Sequence, residues 1–143
     1  MKVPSVLMLL VLAISSSATA QDANAKAILG TWRGTSTCVN LEAAPACKNE
    51  EVVYEFRETT PPVAGKLNLK ADKIVDGKVV PMGEFDLVWV PADGAWSCEI
   101  RTPRVHALWS FKQPRGDELA GTLVHLPDRT LVRKAAARRQ SKG

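Results

Sequence analysis

No Gly-x-Ser-x-Gly element, no Cys-x-x-Cys pair and no two histidines at metal-ligand spacing occur in the 143 residues. These absences remove the sequence signs of a nucleophile elbow and of a structural zinc site. The two histidines, His106 and His125, have no evident nucleophile or carboxylate partner in sequence, so no residue is assigned a catalytic role. Paired carboxylates, Glu50-Glu51 and Asp117-Glu118, stand at strand starts, where solvent-facing charge is the ordinary arrangement. Arg115-Gly116-Asp117 follows Pro114 and reads as a turn. No internal repeat or linker divides the chain, since its nine prolines and nine glycines are scattered between short apolar segments.

One apolar run is present, Val6 to Ile14 within "MKVPSVLMLLVLAISSSATA". It is too short to span a bilayer, and with Lys2 before it and Ala18-Thr19-Ala20 after it, residues 1 to 20 read as a cleaved export signal. No membrane span is expected, and the product is placed outside the cytoplasm, secreted or periplasmic. About 123 residues remain, enough for one domain with one core. Export permits disulfides. Cys38 and Cys47 flank "VNLEAAPA", a loop joining neighbouring strands, and are the expected pair, with Cys98 left over as a small buried residue.

The net charge of +4 conceals an asymmetry: residues 21 to 128 carry 12 basic and 15 acidic side chains. Arg129, Arg133, Lys134, Arg138, Arg139 and Lys142 follow with no acid among them. Residues 136–143 read as a solvated, disordered basic tail, so the domain is drawn at 21–135. The basic residues lack interleaved aromatics, which excludes the usual pattern of nucleic-acid binding.

What is there is alternation. Val52, Tyr54 and Phe56, then Leu67, Leu69 and Ala71, then Phe85, Leu87 and Trp89, then Trp96, Cys98 and Ile100 each occupy every second position. Segments starting near residues 31, 50, 65, 83, 95, 104, 117 and 129 give about eight antiparallel strands, with an extra short one at Lys78 to Val80. Turn signals at Asp76-Gly77, Asp93-Gly94, Pro114 to Asp117 and Pro127-Asp128 join them. The expected class is all-β: an up-and-down barrel, with a two-sheet sandwich as the other solution, because closure removes exposed edges. One short helix is expected over "DANAKAIL", capped by Asp22 and ended by Gly30.

The helix, then Gly30-x-Trp32 at the start of the first strand, then about eight strands, resembles the calycin group, which includes lipocalins, fatty-acid-binding proteins and avidins. The resemblance implies that Trp32 closes the barrel floor and that a cation of the last strand, Arg133 in "TLVRK", lies over its indole as a structural pair. "ILGTWRG" followed by "EEVVYEF" also resembles nitrobindin-type barrels, which hold haem through a histidine near the C-terminal end. That resemblance makes haem a minority cofactor here, with His125 or His106 as its ligand; otherwise no cofactor is expected.

An eight-stranded barrel either fills with side chains or holds one small ligand. Gly34 and Ser36 face inward with large aromatics, which suits a cavity and suits a filled taper. If a cavity exists, Tyr54, Phe56, Phe85, Trp89, Trp96 and Trp109 are the expected lining for a small apolar or aromatic ligand. The other function class is a protein-binding module or enzyme inhibitor acting through the loop from Val39 to Lys48.

Overall fold

The computed structural model describes residues 18–142. Residues 1–17 of the expected leader lie outside them. Helix α1 spans Ala18–Ile28 and leads into eight strands. These are β1 (Gly30–Cys38), β2 (Glu50–Glu58), β3 (Lys66–Val75), β4 (Lys78–Val90), β5 (Ala95–Arg101), β6 (His106–Lys112), β7 (Glu118–His125) and β8 (Thr130–Lys142). Each strand pairs antiparallel with the next and β8 closes on β1, forming the up-and-down barrel that the alternation implies. The strand β2 shows the reason plainly: Val52, Tyr54 and Phe56 are buried while Val53, Glu55 and Arg57 are only partly covered.

Four details depart from the sequence reading. The helix begins at Ala18, so Asp22 lies inside it and is not its cap, as alanine and glutamine before Asp22 favour continued helix. The extra strand at Lys78 to Val80 is the first part of β4, which continues through Pro81. A register shift against β3 between Ala71 and Asp72 leaves Met82 without a partner, which lets Pro81 sit in the ladder without donating.

The basic tail is the third. Residues 136–142 form most of β8, paired with β1 from Cys38↔Arg133 to Gly30↔Lys142, so the domain runs past residue 135. Ala135 and Ala137 are buried while Lys134, Ala136 and Arg138 are exposed, an alternation that commits the segment to the barrel wall despite its charge. Without it β1 would present an unpaired edge.

The fourth concerns the cation over Trp32. A shift in the β1–β8 register between Thr31 and Trp32 brings Trp32 opposite Arg139, and the Arg139 guanidinium lies 4.2 Å from the indole centroid. Arg139 also donates to the carbonyl oxygens of Leu29 (2.8 Å) and Ala27 (2.5 Å) at the end of α1. Trp32 Nε1 donates to Ile28 O at 2.8 Å. Trp32 does close the floor, but Arg139 covers it; Arg133 stands at the other end of β8.

The barrel therefore has a helix end and a loop end. Residues 59–65, 91–94 and 113–117 connect strands at the helix end, and 39–49, 76–77, 102–105 and 126–129 at the loop end. Asp76 (φ 50°) and Gly77 (φ 74°) make the tightest of these turns with both residues left-handed, as a primed hairpin turn requires. Cys38 and Cys47 are bonded, tying the 39–49 loop at its base.

Candidate functional site

Inside the helix end the barrel is solid. Ile28, Trp32, Phe56, Leu67, Leu69, Leu87, Trp96 and Phe111 are fully or almost fully buried in one cluster. Phe111 meets Phe56 edge-on and Trp89 packs at a tilt against Trp96, with centroids 5.2 and 5.3 Å apart. Gly121 makes room for the Phe111 ring: a Cβ there would lie 2.9 Å from Phe111 Cδ1. Gly34 serves a different need from the interior space expected of it. A Cβ at Gly34 would lie 1.9 Å from Ala136 O, so this glycine permits the close approach of β1 and β8.

Toward the loop end the interior opens into a cavity of about 180 Å³. Its apolar wall is Val52, Tyr54, Met82, Phe85, Ile100, Trp109, Leu123 and Ala135, and Ser36, Glu50, Thr122 and Arg133 add polar atoms. Of the six aromatics expected to line a site, Tyr54, Phe85 and Trp109 do so, and they hold one another: Trp109 meets Tyr54 at 5.6 Å and Phe85 at 5.3 Å between centroids, both edge-on. Phe56, Trp89 and Trp96 lie outside the lining, in or against the solid half, because the strand register sets them nearer the helix end. Strand parity places Glu50 on the same face as Val52 and Tyr54, and it points inward, not into solvent as a strand-start carboxylate would.

The polar groups converge at the mouth. Arg133 donates to Ser36 Oγ (3.0 Å) and to Lys48 O (2.7 Å). Glu50 lies between two cations, 3.6 Å from Arg133 Nη1 and 3.5 Å from Lys73 Nζ. Lys73 is opposite Val52 in the β2–β3 register and so shares its inward face. Burial first, then the negative charge of Glu50, raise the Tyr54 hydroxyl well above its ordinary value, against the opposing effects of Arg133 and Ser36; it remains a neutral donor.

Cys98 sits opposite Trp109 in the β5–β6 register, partly buried, and burial with the nearby Asp86 charge pushes its thiol up to about 11. A thiol raised this far supplies little thiolate, and its partial burial is less than the full burial expected of it. Neither histidine lines the cavity. On the outer surface His106 Nε2 contacts the Glu99 carboxylate, with Arg101 Nη2 2.9 Å from the same nitrogen, and the hydrogen bonds of His106 and then Arg101 hold the Glu99 carboxyl below its usual range. His125 ends β7 opposite Ala107 and Thr130. The residues around the cavity therefore do not fit haem held as expected: neither His106 nor His125 faces the space, which is smaller than the roughly 300–1,000 Å³ of usual ligand clefts. Sequence reasoning missed Lys73 and Glu50 as site residues and gave Arg133 another role; extending the alternation of Val52, Tyr54 and Phe56 back two positions would have found Glu50.

No family model and no curated protein matches the sequence. Solved structures match the fold. A redesigned β barrel, b11L5F_LGL, superposes with a TM-score of 0.59 at 16% identity, over 82% of this chain and 96% of its own. A second redesigned barrel, mFAP1, solved bound to DFHBI, gives 0.55 at 17% identity over 81% and 98%. The S-type phycobiliprotein lyase CPES of Guillardia theta gives 0.49 at 10% identity over 85% and 93%. At these identities the likeness is one of architecture, and by architecture the chain stands with small closed antiparallel barrels.

Proposed function

We propose that this protein is an exported, calycin-like binding protein, without catalytic activity, that holds one small apolar or aromatic molecule in the loop end of its barrel. The observation that carries the proposal is the cavity of about 180 Å³ beside an otherwise solid core, walled by the edges of Tyr54, Phe85 and Trp109. An apolar cavity of about 150 Å³ accepts benzene, so the space suits a single ring with small substituents. That a barrel of this architecture was solved with DFHBI bound supports ligand binding as the class of function. Export is supported by the Cys38–Cys47 bond, and no helix among the described residues is long and apolar enough to cross a membrane.

The test is titration of the purified protein with neutral single-ring compounds, benzyl alcohol and benzamide, read by tryptophan emission and by thermal unfolding. Trp109 in the wall gives a saturable emission change, and the melting temperature rises with ligand concentration. Absence of both at millimolar ligand overturns the reading.

A second reading, a protein-binding module acting through residues 39–48, has one observation in its favour: Val39 and Leu41 are 45% and 59% exposed on a disulfide-tied loop. On that reading Leu41→Asp would abolish capture of a partner and leave ring binding unchanged.

A further inference from the structure

The displacement of Arg133 from the barrel floor leaves a cation inside the cavity wall, and its neighbours give it a function. Its close hydrogen-bond acceptors, Ser36 Oγ, Ser36 O and Lys48 O, are all neutral. Among the described residues the only carboxylate within reach, Glu50, stands at 3.6 Å, beyond the roughly 2.7–2.9 Å of a charge-assisted hydrogen bond, and is drawn equally toward Lys73 at 3.5 Å. Two cations thus share one anion at the mouth of an apolar chamber. The Arg133 side chain is 18% exposed and that of Glu50 23%, so the surplus positive charge is poorly screened by water. Ser36 is buried, and the Tyr54 hydroxyl is close enough to feel both Glu50 and Arg133.

We infer that the cavity selects ligands carrying an acid group, with the ring against Tyr54, Phe85 and Trp109 and the carboxylate on Arg133, and that Arg133 is the specificity-determining residue. Lys73 acts through charge and Glu50 opposes the ligand, acting as the internal anion that a bound carboxylate partly replaces. A planar guanidinium presents paired donors that match a carboxylate, which a lysine at this position would not. This inference rests on the cavity reading above.

The experiment compares benzoate with benzamide, nearly the same shape and differing in charge, by isothermal titration of the intact protein. Benzoate is expected to bind about tenfold more tightly, the worth of one charge-assisted contact. Arg133→Gln is expected to remove the preference, bringing the affinities for benzoate and benzamide to within about twofold of each other. Because Arg133 also ties Lys48 and Ser36, a second variant keeps the test independent of folding: Glu50→Gln retains the arginine and is expected to raise the ratio of benzoate to benzamide affinity several-fold. Equal affinities for the two compounds, or a Glu50→Gln variant that lowers that ratio, overturn the acid specificity and leave the cavity reading standing. Binding of neither compound overturns both.

Discussion

At the helix end of the barrel Trp32, Phe56, Trp96 and Phe111 are buried to within 1% and interlock, whereas at the loop end Tyr54, Phe85 and Trp109 touch edge to face and leave about 180 Å³ between them and the opposite wall. Both ends are built on the same two-residue alternation. They differ in what the inward positions carry. The helix end adds a plug, Ile28 of α1, and a lid, Arg139 on Trp32. The loop end sets Ser36, Ala135 and Val52 opposite the aromatics and rings its mouth with charges that cannot be packed over without losing water. Alternation decides which side chains face the interior; their volumes, summed across strands in register, decide whether the interior fills.

The largest expected effect tests that difference directly. Trp96→Ala, in the solid half, should lower unfolding free energy by about 3–5 kcal/mol in denaturant titrations. Trp109→Ala, on the cavity wall and partly exposed, should cost about 2 kcal/mol, since part of its surface has no packing partner to lose. Equal costs would mean that the two ends are packed alike.

Next in size is the bond at the loop end. Cys38→Ser opens a loop nine residues in sequence separation and should cost about 3 kcal/mol, while Cys98→Ser costs about 1 kcal/mol. The reverse order, measured by the same titrations, would show that the loop end is held by its strands and not by the disulfide.

The two arginines of β8 come third. Arg139→Ala removes the cover of Trp32 and two bonds to the end of α1, for a loss of about 2 kcal/mol. Arg133→Ala, at the hollow end, should cost about 1 kcal/mol in the absence of ligand. A larger loss at Arg133 would return it to the structural role that its sequence context implies.

That pair also shows where the sequence stops being legible. Eight strands, the preference for closure over a sandwich and the Cys38–Cys47 bond follow from alternation, turn residues and loop length, all local, whereas the place of Trp32 comes from the resemblance that Gly30-x-Trp32 carries. The identity of the cation over Trp32 depends on β8 running on past Arg133 to Lys142 and on the one-residue shift between Thr31 and Trp32 that skips Gln140, neither of which a local pattern reports. The same holds for the tail: a run of basic residues has the composition of a solvated end, and only the alanines at 135 and 137 betray a wall strand. Tyr54, Phe85 and Trp109 were separable from Phe56, Trp89 and Trp96 only once cross-strand partners were known, because all six are inward and aromatic. Lys73 of β3 could not be tied to Arg133 of β8 without knowing that β1 and β2, the strand that carries Glu50, stand between them in the closed barrel.

The last pair of effects, which includes the smallest, has opposite signs, which makes it the sharpest. Gly121 sits at the boundary of the solid half, where a Cβ would lie 2.9 Å from Phe111 Cδ1 and 3.3 Å from Ser110 O. Phe111 cannot give way freely, since Tyr54, Phe56 and Trp109 hold its ring with centroids 5.1–5.2 Å away. Gly121→Ala should therefore destabilise by about 1–2 kcal/mol through overpacking. Ala135 lies on β8 at the cavity wall, where two added methyl groups enter empty space and a β-branched residue suits the strand. Ala135→Val should stabilise by about 0.5 kcal/mol and weaken binding of any single-ring ligand by shrinking its chamber. Adding carbon thus harms one end of the barrel and helps the other; if Ala135→Val destabilises as much as Gly121→Ala does, the loop end has no room to hold a ligand.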